Sequence, residues 1–591
     1  MTESENYIVA LNNMADQLRK VGDYEQSFAL FSQAVTIIEK EPISEMTQSA
    51  VFSNFSILLN VIGKRDIAII FAEKALQLDI ETENLENIGY SLHNVGMLYK
   101  EEGDHNQAIN YLNEALKIRK TIGNHIETLA TFEILSITFF EIDNYEMSMQ
   151  YALEGLSLLE HTGLTPAYRN VLGQLALTEA KFGNWDQAIK YQLKAIELIE
   201  YLRFENRELA NLDKFDARYN KQYLHAIELF IEAKQYELAF KLIETSRFRS
   251  GCDMIEGVYK FNPHEDFVSL LPEIASDELI LMEWIYPKFD YSFSFSKSTL
   301  DHINFKKIIT STSTQGQTGY DLKYEWILHY ENTLKQTQSV VDSYISQLAD
   351  CKRLVIIPHG IQWQTPFAAL KHPVTGDFLL ETHQLVLLPS FRYAKMVEQK
   401  SEIHNGKHLL IGDPTSDLPD SREEVQQIAA LLGCEPLVGE KATKSLILNL
   451  LAANEYDIIH FSCHGKFGDD GSFHLNVADG FITENEIAAC NPRANLMNVV
   501  SCWSGMTAFS VWNELYGLPR VLLASNIVNI IGAAYPIGDT AAKEFSQVFY
   551  QHYFLQKHDR ITSFQLAIKA LSKVHREDLW GSLFITGKRL Y

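Results

Sequence analysis

The chain has 591 residues, of which 46% are hydrophobic, and its formal net charge at pH 7 is -25. This length exceeds what one compact core normally holds, so two or three domains are predicted. The negative charge argues against a surface built mainly to bind nucleic-acid phosphates, and it favours protein partners with basic segments.

Targeting signals and disulfide patterns are missing from the sequence. The six cysteines are scattered and form no CxxC pair, which predicts reduced thiols rather than a disulfide framework. The N-terminal segment lacks the apolar core of a signal peptide, and no run approaches the roughly 20 apolar residues of a membrane helix. We therefore expect a cytoplasmic protein that does not span a membrane.

The first half contains an internal repeat. Its starting points are 41, 40, 40, 40 and 51 residues apart, at Gly22, Gly63, Gly103, Asp143, Gly183 and Lys234. Small residues recur five positions after each start, at Ser27, Ala68, Ala108, Ser148, Ala188 and Ala239. A second set recurs seven residues later, at Ala34, Ala75, Ala115, Gly155, Ala195 and Ser246. Seven residues are about two helical turns, so both sets fall on one helix face that a second helix can approach closely.

This pattern resembles the tetratricopeptide repeat, a helical hairpin that stacks into a superhelix. The resemblance implies a repeat domain over residues 1–265 whose concave face binds a protein activator or a protein substrate. A plain helical spacer is the alternative interpretation. Four aromatic residues near the repeat starts are predicted to belong to the repeat core: Tyr24, Tyr145, Trp185 and Tyr236.

After about residue 265 the pattern changes to short apolar runs that alternate with helical stretches. The runs are ELILMEW (278–284), RLVIIP (353–358), HLLIGDP (408–414), DIIHFS (457–462), LMNVVSC (496–502), NIVNIIGAAYP (526–536) and LFITG (583–587). Most of them are apolar on both faces, which is typical of buried, mainly parallel strands. We predict a doubly wound α/β domain over residues 266–591, with a flexible loop at 310–319. The fold class is therefore α + α/β.

Two candidate site residues directly follow predicted strands. In an open α/β sheet, sites form at the carboxyl ends of the strands. His464 comes after DIIHFS, and Cys502 comes after LMNVV. If the two strands are adjacent and parallel, the imidazole and the thiol lie side by side. A cysteine nucleophile needs such a neighbour because the thiolate is the reactive form.

Several motifs of the second half resemble the CHAT domain, a caspase-like cysteine peptidase family related to separase. They are IPHGIQWQTPFAAL (357–370), LLPSFRYA (387–394), IIHFSCHGKFG, FITENEIAAC, NVVSCWSG and NIIGAAYPIGDTAAKEFSQVFY, and they span roughly residues 275 to 590. The segment ETSRFRSGCDMI (244–255) resembles the last repeat helix before such a domain. One departure is that CHAT sequences commonly read SACxTG at the nucleophile, whereas Trp503 stands within SCWSG here.

The resemblance implies roles for individual residues. Cys502 is the nucleophile and His464 protonates the leaving amine, while the backbone N–H groups of Gly465 and Cys502 stabilise the oxyanion. The alternative interpretations are a buried free cysteine for Cys502 and a turn glycine for Gly465. By resemblance to separase, Asp539 is a candidate S1 residue that receives a basic P1 side chain. The alternative is that Asp539 caps the following helix.

The residues next to the predicted dyad are predicted to have structural rather than catalytic roles. His460 is predicted to be a hydrogen-bonded core histidine, and Cys463 a core residue on the opposite face of the strand. Asp469 and Asp470 are read as a solvated loop. The spacing of these histidines and cysteines does not match a metal site, so neither a metal nor another cofactor is predicted.

The chain is therefore interpreted as a regulated intracellular cysteine endopeptidase whose repeats bind an activator or substrate. By resemblance, such proteins act in prokaryotic antiviral defence, in association with a CRISPR effector ribonucleoprotein or beside gasdermin substrates. The first alternative is a non-catalytic scaffold that binds an effector complex. The second, a repeat adaptor with a nucleotide-binding domain, ranks last because neither GxGxxG nor GxxxxGK[ST] occurs.

Overall fold

The computed structural model describes residues 2–162, 166–205, 209–256, 261–286, 289–297, 304–308, 326–453, 455–467, 472–502, 504–505, 517–577 and 580–589. The predicted loop at 310–319, the acids Asp469 and Asp470, and Trp503 lie outside these residues. The chain divides into two compact units, Met1–Ile199 and Glu200–Tyr591. The predicted domain boundary after residue 265 stays a prediction.

Consecutive helices form antiparallel hairpins throughout the repeat region. They are α1 (Glu3–Val21), α2 (Tyr24–Ile38), α3 (Glu45–Val61), α4 (Arg65–Glu81), α5 (Leu85–Glu102), α6 (His105–Ile122), α7 (His125–Glu141), α8 (Tyr145–Thr162), α9 (Pro166–Lys181), α10 (Trp185–Glu205), α11 (Leu209–Glu232) and α12 (Tyr236–Ser246). The predicted helical repeat is therefore confirmed, and each predicted start falls in the turn between the two helices of a hairpin.

All six residues that start the predicted repeats adopt left-handed backbone conformations. The φ angles are 90° at Gly22, 78° at Gly63, 93° at Gly103, 59° at Asp143, 79° at Gly183 and 58° at Lys234. Glycine takes this conformation without a steric penalty, which explains its place at four of the six turns. The repeat period is thus the spacing of the hairpin turns.

The small residues of the repeat lie where the helices pack most closely. Ser27, Ala68, Ala108, Ser148, Ala188 and Ala239 are all fully buried. The prediction that four aromatics belong to the core is wrong for Tyr24, which is 42% exposed, and the other three are only half-buried. Each of the four is the first residue of its helix, so its side chain lies at the rim of the hairpin rather than between helices.

The second unit is built on a large mixed sheet. Its strands are β1 (Glu278–Tyr286), β2 (Phe289–Ser296), β3 (Asn304–Ile308), β4 (Arg353–Ile357), β5 (Gln384–Leu387), β6 (His408–Gly412), β7 (Leu437–Val438), β8 (Glu455–Ser462), β12 (Arg493–Val499), β13 (Asn526–Ala533) and β14 (Leu583–Gly587). All seven predicted strands are present. A separate small sheet contains β9 (Gly465–Phe467), β10 (Phe473–Val477) and β11 (Gly480–Thr483) in the order β11-β10-β9.

The large sheet has the strand order β3-β2-β1-β4-β5-β14-β13-β12-β8-β6-β7. Strands β13, β12, β8, β6 and β7 are mutually parallel, as predicted for this part of the chain. Strand β14 is antiparallel to β13 but parallel to β5, which is itself parallel to β4. The two halves of the sheet therefore run in opposite directions, and their carboxyl ends lie at opposite edges.

Helices cover this sheet and precede it. They are α13 (Arg249–Glu256), α14 (Phe267–Leu270), α15 (Trp326–Ser343), α16 (Ile345–Leu348), α17 (Phe391–Glu398), α18 (Pro419–Leu432), α19 (Lys444–Ala453), α20 (Glu484–Cys490), α21 (Leu518–Ala524), α22 (Asp539–Tyr550) and α23 (Arg560–Leu571). Short 3-10 turns occur at Gly360–Gln364, Phe367–Ala369, Leu379–Glu381 and Gly439–Lys441, and a π turn at Gln551–Leu555. The central strands are buried on both faces, so the core of the unit lies on both sides of the sheet.

Candidate active site

The two predicted dyad residues follow adjacent strands. Strands β8 and β12 are parallel, and their register pairs Phe461 with Val499, which are 38 positions apart. His464 and Cys502 are separated by the same 38 positions. Both residues come two to three positions after the ends of these parallel neighbours, so they follow the same end of the sheet. The predicted adjacency of the two strands is confirmed, while the catalytic roles stay a proposal.

Gly465 makes the closest approach between the two strand ends. A Cβ atom built on Gly465 would lie 2.3 Å from the carbonyl oxygen of Cys502 and 2.8 Å from Cζ of Phe473. Only glycine fits without displacing the Cys502 backbone, so this residue is more than a flexible turn position. The segment that carries His464 and the segment that carries Cys502 are in direct contact here.

The backbone of Gly465 faces away from its own small sheet. The N–H of Asn476 donates to the carbonyl of His464 at 2.9 Å, and Gly465 is paired with Leu475. This is the pattern of a non-hydrogen-bonded pair, in which the N–H of Gly465 points away from β10. The orientation is compatible with the predicted role of that N–H in stabilising an oxyanion.

His464 has a partner that the sequence interpretation missed. Its Nε2 lies 3.1 Å from Oδ2 of Asp417, and the two side chains are 42% and 60% exposed. Asp417 belongs to the loop DPTSDL that follows strand β6, the neighbour of β8. The available signal was the pair of acids directly after a predicted strand, at the same edge of the sheet as His464.

Cys502 is half-buried, and its Sγ lies 3.7 Å from the carbonyl oxygen of Ile537. Burial raises the pKa of the Cys502 thiol, and the nearby carboxylate of Asp539 raises it further. In this conformation the thiol is therefore held in its neutral, less nucleophilic form.

Asp539 lies near both dyad residues. Burial raises the pKa of its carboxyl group, and the negative charges of Asp420 and Glu424 add to the shift. The backbone N–H of Asp420 and the charge of His464 act in the opposite direction. Asp539 is the first residue of α22, where Gly538 holds the N-cap position and no side-chain cap bond is present. The S1 role of Asp539 and its role at the helix N-terminus therefore both stay predictions.

Two further predicted core residues lie beneath the site. His460 is fully buried, with Nε2 3.1 Å from Oε1 of Glu424 and Nδ1 3.2 Å from the hydroxyl of Tyr550. This confirms the prediction of a hydrogen-bonded core histidine. Cys463 is also buried, 3.7 Å from Oγ of Ser501, and burial raises the pKa of its thiol to about 12.

The motif at 357–370 lies away from this site. It follows β4, which belongs to the half of the sheet that runs in the opposite direction, so its residues begin at the opposite edge. His359 in this motif is buried and is not part of the proposed dyad. Burial and the nearby charge of Arg247 hold the pKa of its imidazole well below the usual range.

Neither a metal-binding cluster nor a membrane helix is present in the described part of the chain. The search there finds no group of three or more histidine, cysteine, aspartate or glutamate residues placed to hold a metal ion. It also finds no helix whose length and hydropathy would allow it to cross a bilayer.

Two families account for most of the chain. The CHAT domain matches residues 332–587, a range that contains all four predicted site residues. The tetratricopeptide repeat matches residues 47–121 and 87–161.

Curated relatives share only part of this organisation. The chain is similar to tetratricopeptide repeat protein 28 of Mus musculus, with 24% identity over 260 residues, and to the Homo sapiens protein of the same name, with 29% identity over 133 residues. These alignments cover 34% and 19% of the chain but only 10% and 5% of the mouse and human proteins. The chain thus spans about a tenth or less of the length of these relatives.

Solved structures with a similar arrangement are distant in sequence. BtubC from P. vanneervenii is 16% identical with a TM-score of 0.31, covering 33% of this chain and 80% of that one. The separase–securin complex from Saccharomyces cerevisiae is 9% identical with a TM-score of 0.42, covering 94% of this chain and 54% of that one. From the two family matches, the chain is a tetratricopeptide repeat protein with a CHAT domain in its second half.

Proposed function

We propose that the second unit is a cysteine endopeptidase in which Cys502 is the nucleophile and His464 the general acid–base. The observation that supports this proposal is that β8 and β12 are parallel neighbours and that the segments following them meet at Gly465 and the backbone of Cys502. The match to the CHAT family supports a peptidase-like fold around them. Both residue types are those that thiol-dependent acyl transfer requires.

The proposed reaction uses groups of this chain alone. His464 takes the thiol proton of Cys502, and the resulting thiolate attacks the scissile carbonyl carbon and forms a C–S bond, while the carbonyl oxygen takes up the negative charge. The N–H groups of Gly465 and Cys502 would stabilise that oxyanion, at typically about 3 kcal/mol for each donor. As the C–N bond breaks, His464 donates a proton to the leaving amine. Water then hydrolyses the thioester and regenerates the thiol.

The proposed specificity is for a basic P1 residue. Asp539 presents a half-buried carboxyl group near Cys502, and surrounding acids raise its pKa. An arginine or lysine side chain would relieve this repulsion and pair with the carboxylate, which favours a cationic residue next to the scissile bond.

The enzyme is proposed to be latent until a partner binds. The raised pKa of Cys502 supports this, because the thiol is mostly neutral near pH 7 in the conformation described. The tetratricopeptide repeats are the proposed binding site for a protein activator or protein substrate. The net charge of -25 favours a partner segment that carries basic residues.

The proposed biological setting is prokaryotic antiviral defence. The partner would be a CRISPR effector ribonucleoprotein, contacted mainly through protein, or the substrate would be a gasdermin. The support for this setting is the combination of repeats and a CHAT domain in one chain.

A non-catalytic scaffold is the second candidate function. The half-buried Cys502 thiol with its raised pKa is the observation that favours it, since an inactive docking domain needs no accessible thiolate. This reading predicts that Cys502 stays unreactive even when the partner of the repeats is bound.

Active-site labelling separates the two candidates. The wild-type chain would be treated with acyloxymethyl ketone probes carrying P1 Arg or P1 Leu, alone and with the partner captured on the repeats. We expect a mass adduct at Cys502, faster with P1 Arg, that is lost in Cys502→Ala and kept in the control Cys434→Ala. Cys434 is a half-buried free cysteine elsewhere in the unit. Absence of the adduct with the partner bound would establish the scaffold instead.

A further inference from the structure

Asp417 is held in place by bonds to both of its carboxylate oxygens. Oδ2 lies 3.1 Å from Nε2 of His464, and Oδ1 accepts a hydrogen bond from the hydroxyl of Thr415. These contacts lower the pKa of the Asp417 carboxyl group, Thr415 more strongly than His464. The side chain is therefore an oriented anion, although it is 60% exposed.

The loop that carries Asp417 is fastened by a buried carboxylate. Asp413 is 2% exposed, and its Oδ1 accepts from the N–H of Leu418 at 2.8 Å. Its Oδ2 accepts from Nε of Arg422 at 2.8 Å. The N–H of Asp413 donates to the carbonyl of Ser462 at 3.1 Å, two residues before His464. A backbone hydrogen bond thus connects the loop directly to the end of strand β8, just before His464.

The same loop contains two residues in unfavourable backbone conformations. Asp413 has a φ of 44° and Ser416 a φ of 60°, and neither is glycine. Such conformations are sterically unfavourable for residues with a Cβ atom and persist where surrounding contacts impose them. The contacts of the loop therefore maintain a strained backbone conformation, and this conformation determines where Asp417 lies.

The contact with Asp417 also distinguishes the two ring nitrogens of His464. Because a carboxylate only accepts, Nε2 must carry the proton that it donates. In the neutral imidazole the other nitrogen, Nδ1, is then unprotonated and can serve as the base that the proposed function requires.

We propose that Asp417 is a positioning residue, which holds His464 as the Nε2–H tautomer and presents Nδ1 to Cys502 and the scissile bond. This inference deepens the proposed function and rests on it for its catalytic meaning. The contact itself can be tested without any catalysis, so the two proposals can fail separately.

The test combines a spectroscopic and a kinetic readout. Two-bond nitrogen–proton NMR of perdeuterated, 15N-histidine-labelled protein at pH 9 would report the tautomer of His464, whose signals are assigned by their loss in His464→Gln. We expect Nε2–H in the wild type, a mixture of tautomers in Asp417→Leu, and an intermediate state in Asp417→Asn, which keeps an acceptor oxygen. Labelling by the P1 Arg and P1 Leu probes should slow by about 10- to 100-fold in Asp417→Leu, equally for both probes.

The matched control is Glu423→Gln, which also removes one surface carboxylate. Glu423 is bound to Lys543 on α22, at 3.0 Å from Nζ, and we expect wild-type tautomer and labelling there. An unchanged His464 tautomer in Asp417→Leu would overturn the proposal. A loss confined to the P1 Arg probe would also overturn it, and would make Asp417 a specificity residue. If the wild type takes up no probe even with the partner bound, the proposed function fails while the NMR comparison still decides the role of Asp417.

Discussion

The backbone of Gly465 lies so close to the backbone of Cys502 that no methyl group fits between them. A Cβ at this position would lie 2.3 Å from the Cys502 carbonyl oxygen, which is backbone and cannot turn aside like a flexible side chain. Alanine should therefore push the two segments apart and misplace the dyad.

The corresponding prediction is that Gly465→Ala lowers the rate of probe labelling at Cys502 by at least about 10-fold. Intact-mass kinetics would measure it. Gly173→Ala is the control, because a Cβ there meets nothing within 4 Å and the residue lies in helix α9. Equal labelling rates in Gly465→Ala and the wild type would show that the close approach is irrelevant to the site.

The reactivity of Cys502 should depend on the charge of Asp539. Burial and this carboxylate raise the pKa of the thiol, so iodoacetamide should react appreciably only above the ordinary thiol pKa of about 8.5. Asp539→Asn removes a negative charge that disfavours the thiolate, so the inflection should move to lower pH and the rate at pH 8 should rise.

Peptide mass spectrometry across a pH series would measure this shift at Cys502. Cys434 in the same sample serves as the internal control, and its profile should be identical in both proteins. An unmoved or upward-moved inflection in Asp539→Asn would contradict the assigned proximity of the two side chains.

At the scale of the elements, the hairpin turns share one left-handed backbone conformation, which different residue types adopt. Lys234 has a φ of 58° in the turn between α11 and α12, a conformation that glycine adopts in four of the equivalent turns. A lysine in the left-handed region carries a steric cost of about 1 kcal/mol that glycine does not.

We therefore expect Lys234→Gly to stabilise the protein, by up to about 1 kcal/mol after the greater chain entropy of glycine in the unfolded state is subtracted. The equivalent change in the opposite sense, Gly103→Ala, should destabilise by a similar amount, because Gly103 has a φ of 93°. Urea unfolding followed by circular dichroism would compare the midpoints. A destabilised Lys234→Gly variant would mean that its side chain makes contacts outweighing the backbone strain.

At the scale of the whole second unit, buried ion pairs join three helices to one another. The carboxylate of Asp253 lies 2.7 Å from Arg203 on α10 and 3.2 Å from Arg392 on α17, and Asp253 and Arg203 are fully buried. Removing the shared carboxylate takes a counter-ion from two guanidinium groups, one of which has no access to water.

Asp253→Ala is accordingly expected to lower the free energy of unfolding by about 3–5 kcal/mol. The control is Glu237→Ala, whose ion pair with Lys241 is 50% exposed at the glutamate and should be worth less than about 1 kcal/mol. Thermal unfolding of the full chain would show the difference. A loss as small as that of the control would mean that the buried ion pairs add little to the packing of these three helices.

The direction of the strands also matters at this scale. The half of the sheet formed by β13, β12, β8, β6 and β7 runs opposite to the half that contains β4 and β5. The candidate site therefore draws on the loops after β6, β8 and β12 and on the segment between β13 and α22.

Local patterns were sufficient to predict much of this protein. The repeat period follows from hairpin turns that favour glycine, and buried strands follow from continuous runs of apolar residues. The adjacency of the strands before His464 and Cys502 was also accessible, because each residue follows an apolar run and parallel neighbours end at the same side of the sheet.

Only the tertiary structure decided the remaining features. The contact of Asp417 with His464 joins residues 47 positions apart through a strained loop, and no local pattern specifies it. The reversal of the sheet depends on where β14 inserts, between β5 and β13, which is a long-range choice. The rim position of Tyr24 likewise depends on how neighbouring helices pack. Periodicity reports which face of an element is buried, whereas contacts between distant segments depend on the packing of the whole unit.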